Sequence, residues 1–193
     1  IISPTSGTVI EKLVEEGKYV KAGQPIVQVA DLSTVWLKLE LFPEDASKIT
    51  FGQKVIAKVQ SLPNREFVGR VAFVDPSVDA NTQSVPVRIV IPNPNGALRI
   101  GDYATATIEV DVTNSAEDRP PIYDSELAEK WISPRHPHII KDKPGKCPVC
   151  NLELVPAEEL GFSPLPIAKP IFVTIPRTSV LMVGEQSVAY VET

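Results

Sequence analysis

Residues 35–41 (VWLKLEL) alternate between apolar and polar side chains through Lys38 and Glu40. A period of two is typical of a β-strand with one buried face. Four further segments show the same period, in places less perfectly: residues 54–59, 66–74, 85–91 and 103–110. Turn-forming Gly, Pro and Asn residues separate the segments at intervals of roughly 10–20 residues, a spacing that predicts antiparallel strands in a small barrel or sandwich.

One short helix is predicted between the first two of these strands, over residues 43–49. Pro43 takes an early helical position, where its missing N–H costs nothing. Glu44 and Asp45 stand in the first turn, where the helix dipole favours negative charge. The region is therefore expected to be mainly β, with a β-barrel domain over residues 33–112.

The first 32 residues form a separate unit, in which three short strands are predicted over residues 4–10, 16–20 and 21–29. Three short strands are marginal as an independent domain, so we expect a partner half elsewhere. The chain opens directly on a strand, without a signal peptide or an apolar run of the roughly 20 residues that a membrane helix needs. We therefore expect a mature or excised piece of a longer protein.

From residue 113 the strand pattern breaks, and 11 of the 19 prolines lie in this shorter stretch. Residues 125–131 predict one or two helical turns capped by Ser125. Residues 132–156 form an insert that contains prolines, lysines and cysteines and has almost no core-forming pattern. Strands resume at residues 171–175, 180–183 and 187–192. The third predicted domain is thus a β domain over residues 113–193 that contains the insert.

Composition excludes several classes of protein. A hydrophobic share of 43% excludes wholesale disorder. The net charge of −5 argues against a phosphate-binding surface, so no nucleic-acid partner is expected. The chain lacks a nucleophile elbow, a P-loop, a dinucleotide fingerprint and a zinc-protease motif. With both histidines close to the cysteines, no spare imidazole remains as a general base, and we predict that the chain is not an enzyme.

The two cysteines and two histidines of the chain lie within fifteen residues of each other: His136, His138, Cys147 and Cys150. A C-x-x-C turn presents two sulfurs to one ion, and thiolate with imidazole suits tetrahedral zinc or a related soft ion. We therefore predict a metal site formed by both cysteines and at least one histidine. His136 is the stronger candidate, because Pro137 between the histidines opposes binding of one ion by both.

Other interpretations of the cysteines remain open. They are inert small apolar residues, a redox pair of the thioredoxin kind, or a Cys147–Cys150 disulfide in an oxidising compartment. The redox interpretation lacks a surrounding βαβ pattern. For either histidine the alternative is a solvent-facing side chain without a ligand.

Residues 3–9 (SPTSGTV) and 14–26 (VEEGKYVKAGQPI) resemble the second half of the lipoyl-like domain of periplasmic adaptor (membrane fusion) proteins. Further matches follow in the same order as in that family. Residues 30–37 resemble the junction into its β-barrel, 67–71 and 75–79 the middle strands, 93–102 the last turn, and 175–181 the membrane-proximal domain.

The insert resembles the heavy-metal-binding module of copper/silver-type efflux adaptors, whose pattern is C-P-M-H-P … P-G-K-C-P-x-C-G-M-x-L-V-P. The chain keeps His136, Cys147 and Cys150 of that pattern. Serine, arginine and leucine replace one cysteine and two methionines of the pattern, at Ser133, Arg135 and Leu152. One thiol and two thioethers are thus lost, and these are the ligands most selective for Cu(I) or Ag(I). A harder ion such as Zn²⁺, or a module that merely folds, is the alternative.

The resemblance implies a periplasmic adaptor subunit of a tripartite heavy-metal efflux system, associated with the inner membrane. Such adaptors join an inner-membrane resistance-nodulation-division pump to an outer-membrane channel and assemble into a ring. The insert is expected to sense or hand over a metal ion (zinc or copper/silver), and no organic cofactor is expected because no lysine matches a lipoyl carrier. The alternative is an adaptor for non-metal substrates, in which the C-x-x-C insert is only a structural zinc knuckle or a disulfide.

Overall fold

The computed structural model describes residue 3 and residues 5–110, 121–167, 181–183 and 186–188. The described part is mainly β, as predicted, with one short α-helix and one 3₁₀ helix. None of the described helices reaches the length and apolarity that crossing a membrane requires.

The N-terminal unit is a two-stranded antiparallel ribbon of β1 (Thr8–Lys12) and β2 (Val27–Ala30), with a register shift between Val9 and Glu11. The predicted strands over residues 4–10 and 21–29 overlap β1 and β2, but the predicted strand over residues 16–20 is wrong, because the chain turns at residues 16–17 and again at 22–23. Gly17 and Gly23 both have a φ of +85°. Left-handed glycines reverse the chain twice within a few residues and leave no room for a further strand.

The central unit is a five-stranded antiparallel sheet. Its elements are β3 (Thr34–Leu41), α1 (Pro43–Ala46), β4 (Lys54–Val59), β5 (Glu66–Val74), β6 (Val85–Pro92) and β7 (Ala104–Ile108). The strand order is β3-β6-β5-β4-β7, so β3 and β7 form the edges of a half-barrel. The five predicted strands are confirmed.

Alternate residues of these strands build the core of the half-barrel. Fully buried side chains include Val55, Ala57, Val71, Val87 and Ile89. The alternation that the sequence shows thus separates a packed face from a solvated face. The helix α1 is shorter than the predicted 43–49, because residues 48 and 49 bond back over three residues instead of four.

The third described unit begins with β8 (Ile122–Tyr123) and continues with β9 (Trp131–Ile132), β10 (Ile140–Lys141) and β11 (Val155–Pro156). A 3₁₀ helix (Ala157–Leu160) and β12 (Phe162–Ser163) follow. The strands β10, β9 and β11 form one antiparallel sheet, and β12 pairs in parallel with β8. We call residues 121–167 the module.

The module has a small core of its own, formed by Leu127, Ile132, Ala157 and Phe162. The helical turns predicted over 125–131 are wrong, because residues 125–129 form hydrogen-bonded turns without a helix and Trp131 begins β9. Asp124, and not Ser125, supplies the cap: its carboxylate accepts from the Glu126 N–H at 2.9 Å.

At the C-terminal end, β13 (Leu181–Val183) pairs with β14 (Gln186–Val188) in an antiparallel hairpin. This agrees with part of the strand prediction for residues 180–183 and 187–192. The predicted strand over residues 171–175 and the predicted turn at residues 184–185 lie outside the described residues.

Candidate metal centre

The four predicted ligands lie in two loops of the module. His136 and His138 lie between β9 and β10, and the cysteines lie between β10 and β11. The histidine loop is closed at both ends by backbone bonds, from Ser133 N to Ile139 O (3.1 Å) and from Ile139 N to His136 O (2.8 Å). These bonds fix the direction in which the loop presents its side chains.

The cysteines occupy a tight knuckle between residues 145 and 154. Cys147 N donates to Leu152 O at 2.8 Å, and Asn151 N donates to Cys147 O at 2.9 Å. Asn151 has a φ of +60°, a conformation that Asn tolerates better than most residues. The knuckle therefore turns the chain within four residues and brings both sulfurs toward the histidine loop.

The structure brings together three of the predicted ligands, His136, Cys147 and Cys150. Their ligand atoms all lie within 4.8 Å of one another. The Nδ1 atom of His136 lies 3.6 Å from Cys147 Sγ. Both cysteines are free thiols. Two thiols and one imidazole at this separation are a donor set that zinc and softer ions prefer.

His138 is placed outside this group. Its ring meets the His136 ring edge-on, with 5.9 Å between the centroids. Its Nδ1 atom is buried and has no hydrogen-bond partner within the described part of the chain. Burial, together with the nearby His136, lowers the pKa of His138. The His138 ring therefore packs against His136 without joining the group of three converging side chains.

Ser133 is a site residue that the sequence analysis named only as a departure from a pattern. It is fully buried, and its hydroxyl accepts from the His136 backbone N–H at 3.2 Å. The spacing of Ser and His by three residues is a signal for such a turn, because Ser side chains often bond to nearby backbone N–H groups.

Cys147 is predisposed to ionise. Burial raises the pKa of its thiol, but hydrogen bonds from Ser133 and from the backbone N–H groups of Cys150 and Val149 outweigh burial and lower the pKa to about 6. The thiolate is the form that binds metal ions. The lowered pKa therefore favours the thiolate form of Cys147.

Comparison with protein families gives two matches. Residues 34–111 match the CusB-like, beta-barrel domain, and residues 130–157 match the heavy metal binding domain. The first match covers the half-barrel, and the second contains His136, Cys147 and Cys150. Both agree with the resemblance to membrane fusion proteins that the sequence predicts.

Individual relatives are longer than this chain. The chain is 24% identical over 118 residues to a UPF0194 membrane protein of Citrobacter koseri, covering 55% of this chain and 36% of that protein. It is 29% identical over 105 residues to the nodulation protein NolF of Rhizobium meliloti, covering 54% of this chain and 29% of that protein. The chain thus spans about a third of the length of these relatives.

Among solved structures, ZneB from Cupriavidus metallidurans is 31% identical with a TM-score of 0.47, over 55% of this chain and 43% of that one. Residues 34–111 are thus similar to a CusB-like β-barrel domain, and residues 130–157, which follow it, are similar to a heavy metal binding domain.

Proposed function

We propose that this chain is part of a periplasmic adaptor subunit of a tripartite heavy-metal cation efflux pump. The proposal assigns His136, Cys147 and Cys150 as metal ligands. The observation that carries it is the convergence of these three side chains within 4.8 Å, in a module that follows a CusB-like barrel.

The donor set favours an ion that exchanges. Zinc sites that are purely structural are closed by four protein ligands, whereas sites with three protein ligands keep a position for another molecule. Three candidate ligands converge in the described residues, and the neighbouring Ser133 hydroxyl already accepts from the His136 N–H. An open position allows an incoming donor to join before a protein ligand leaves, which suits sensing or hand-over.

The remaining roles follow from the family resemblance. The subunit would link an inner-membrane pump to an outer-membrane channel, assemble with copies of itself into a ring, and stay in the periplasm beside the inner membrane. Its contribution would be mechanical, without covalent chemistry, an organic cofactor or a nucleic-acid partner.

A second candidate function is an adaptor for non-metal substrates in which a zinc knuckle only staples the module. The backbone bonds around the cysteines favour it, because Cys147, Asn151 and Leu154 all donate within one compact turn. A staple binds tightly and releases slowly, since its binding energy is folding energy.

Metal titration separates the two candidates. We expect the reduced protein to bind one Zn²⁺. Binding of Co²⁺ in its place, followed by absorbance, reports ligation by thiolate. The bound Zn²⁺ is expected to pass to a competing chelator during the titration. Binding with release over hours would favour the staple. Absence of stoichiometric binding, or equal binding by the Cys147→Ser/Cys150→Ser double variant, would overturn the metal site.

A test in cells addresses the transport role. Deletion of residues 132–156 from the full-length protein is expected to lower metal resistance and raise cellular metal content. The Cys147→Ser/Cys150→Ser variant keeps the module in place and removes only the two thiols, so it is expected to change resistance and metal content in the same direction. Unchanged resistance and metal content in both strains would argue against hand-over.

A further inference from the structure

The barrel contains a buried arginine whose charge partners lie outside the barrel. Arg70, in the middle of β5, is only 4% exposed. Its guanidinium donates to Asp124 Oδ2 and to Glu126 Oε2, both at 2.8 Å, and to the Gly52 carbonyl at 2.9 Å. A buried guanidinium needs its counter-charges. Both carboxylates come from the module, so this barrel residue depends on it.

Asp124 connects that arginine to the interior of the module. Its second oxygen accepts from the Glu126 N–H, and its carbonyl accepts from the N–H groups of Leu127 (2.9 Å) and Ala128 (3.0 Å). Leu127 is 1% exposed and belongs to the module core. One carboxylate thus holds the barrel cation and the turn that places a core side chain.

An apolar contact lies beside the ion pairs. A Cβ at Gly52 would lie 3.1 Å from the Phe162 ring and 3.6 Å from Ile132 Cδ1. Phe162 and Ile132 are both core residues of the module. The barrel backbone therefore packs directly on the module core, without a side chain between them.

This contact reaches the candidate metal ligands in one step along the chain. Ile132 precedes Ser133, whose hydroxyl accepts from the His136 N–H at 3.2 Å. A shift of Ile132 against Gly52 would therefore move the residue that holds the backbone of His136.

We propose that Arg70, Asp124 and Glu126 form a clamp that makes the barrel and the module one cooperative unit, so that a metal ion bound in the module stabilises the barrel. The metal part of this inference rests on the proposed function. A ligand that binds only the folded state stabilises everything that unfolds with its site. The coupling is reciprocal, so loosening the clamp weakens metal binding.

The two tryptophans of the chain allow a direct test, because Trp36 lies on β3 of the barrel and Trp131 on β9 of the module. Trp131→Phe leaves a barrel reporter, and Trp36→Phe leaves a module reporter. Trp36 is 67% exposed and stacks on Arg88, so replacing it spares the core. We expect Zn²⁺ to raise the thermal midpoints of both reporters by the same number of degrees. A rise at Trp131 with no change at Trp36 would overturn the coupling and leave the metal site standing.

Clamp variants test the mechanism. Arg70→Lys loses the fork that reaches two carboxylates, and Glu126→Gln removes one charge at a half-exposed position if the lysine variant does not fold. Each is expected to reduce the Zn²⁺-induced rise at Trp36 by at least half and to weaken Zn²⁺ binding. The control is Glu66→Gln, whose ion pair with Lys58 stays within the barrel. Equal effects of Glu126→Gln and Glu66→Gln would overturn the clamp.

A metal-free measurement keeps the two proposals apart. Leu127→Ala creates a cavity in the module core and is expected to lower the Trp36 midpoint as much as the Trp131 midpoint. An unchanged Trp36 midpoint would overturn the cooperative unit whatever the metal does. If the wild-type chain binds no Zn²⁺, the proposed function and the metal part of this inference fail, and Leu127→Ala still decides the cooperative unit.

Discussion

His136 Nδ1 lies 3.6 Å from Cys147 Sγ, although the two residues are eleven positions apart in the chain. The contact exists because two loops of one small sheet, β9–β10 and β10–β11, face each other. An ion bound at this point would take both the ring nitrogen and the sulfur as ligands. Because His138 lies outside this group, replacing each histidine in turn tests their roles separately.

His136→Ala is expected to reduce Zn²⁺ affinity by about tenfold or more, at least the loss caused by altering residues that orient metal ligands. Competition with a chromophoric chelator measures it. His138→Ala is the matched control, because it removes a neighbouring imidazole outside the three-residue group and is expected to bind almost as the wild type does. Equal losses in both variants would contradict the assignment of His136.

Ser133→Ala is expected to raise the pKa of Cys147 above about 6, because the variant loses a hydrogen bond to the thiolate. The thiolate absorbance of the metal-free protein, followed against pH, measures the change. The variant also leaves the His136 N–H without its hydrogen-bond acceptor, so a loss of about 1–3 kcal/mol in the free energy of unfolding is expected. Ser125→Ala, at an exposed turn, is the control. A Cys147 pKa that stays near 6 in Ser133→Ala would show that Ser133 does not lower the pKa of this thiol.

Asp124→Asn is expected to lower the free energy of unfolding by about 3 kcal/mol, because it leaves the buried Arg70 charge without its buried counter-ion. Chemical denaturation measures it. Glu66→Gln removes an exposed pair and is expected to cost about 0–1 kcal/mol. Similar losses in the two variants would mean that burial of Arg70 adds nothing.

Gly52→Ala tests the contact between the barrel backbone and the module core. Gly101→Ala is the matched control, since Gly52 and Gly101 have φ of +80° and +88° but only the first has neighbours within 4 Å of an added Cβ. The backbone penalty of about 1–2 kcal/mol is common to both. Crowding against Phe162 is expected to add roughly 1–3 kcal/mol at Gly52 alone. Equal losses of stability in the two variants would show that the Phe162 ring makes room for the added methyl group at no cost in free energy.

The clamp is expected to weaken in acid. A hydrogen bond from Lys54, with the charges of Lys54 and Arg70, lowers the pKa of Glu126 below its ordinary value of 4.5. The stability that this carboxylate contributes is present above pH 4.5 and is lost as the pH falls through its lowered pKa. Denaturation of wild type and Glu126→Gln across this range should show the two converging. A gap that is constant with pH would contradict the assignment.

The sheet could be predicted because its signal is local. In residues 35–41, and in the four strands that follow, the alternation of apolar side chains carries both the strand and its buried face. The ribbon of β1 and β2 was predicted less well, because glycines with left-handed backbone placed turns where a strand was expected.

The fold of the module could not be predicted from the sequence, for a different reason. Its core residues, Leu127, Ile132, Ala157 and Phe162, are spread over 36 residues without a period, so no window of sequence contains them. Arg70 stands in an ordinary strand pattern, and its partners lie 54 and 56 residues away. No local pattern in the sequence indicates such long-range pairs. The turn at the two cysteines could be predicted, because the C-x-x-C spacing itself indicates it.

The two sulfurs of the centre differ in their access to solvent, since Cys147 is buried and Cys150 is only half-buried. An ion arriving from solution, or passed from another protein, would meet Cys150 before Cys147 and leave in the opposite order. The candidate centre thus has an outer side at Cys150 and an inner side at Cys147, so an ion that binds there would approach from the side of Cys150.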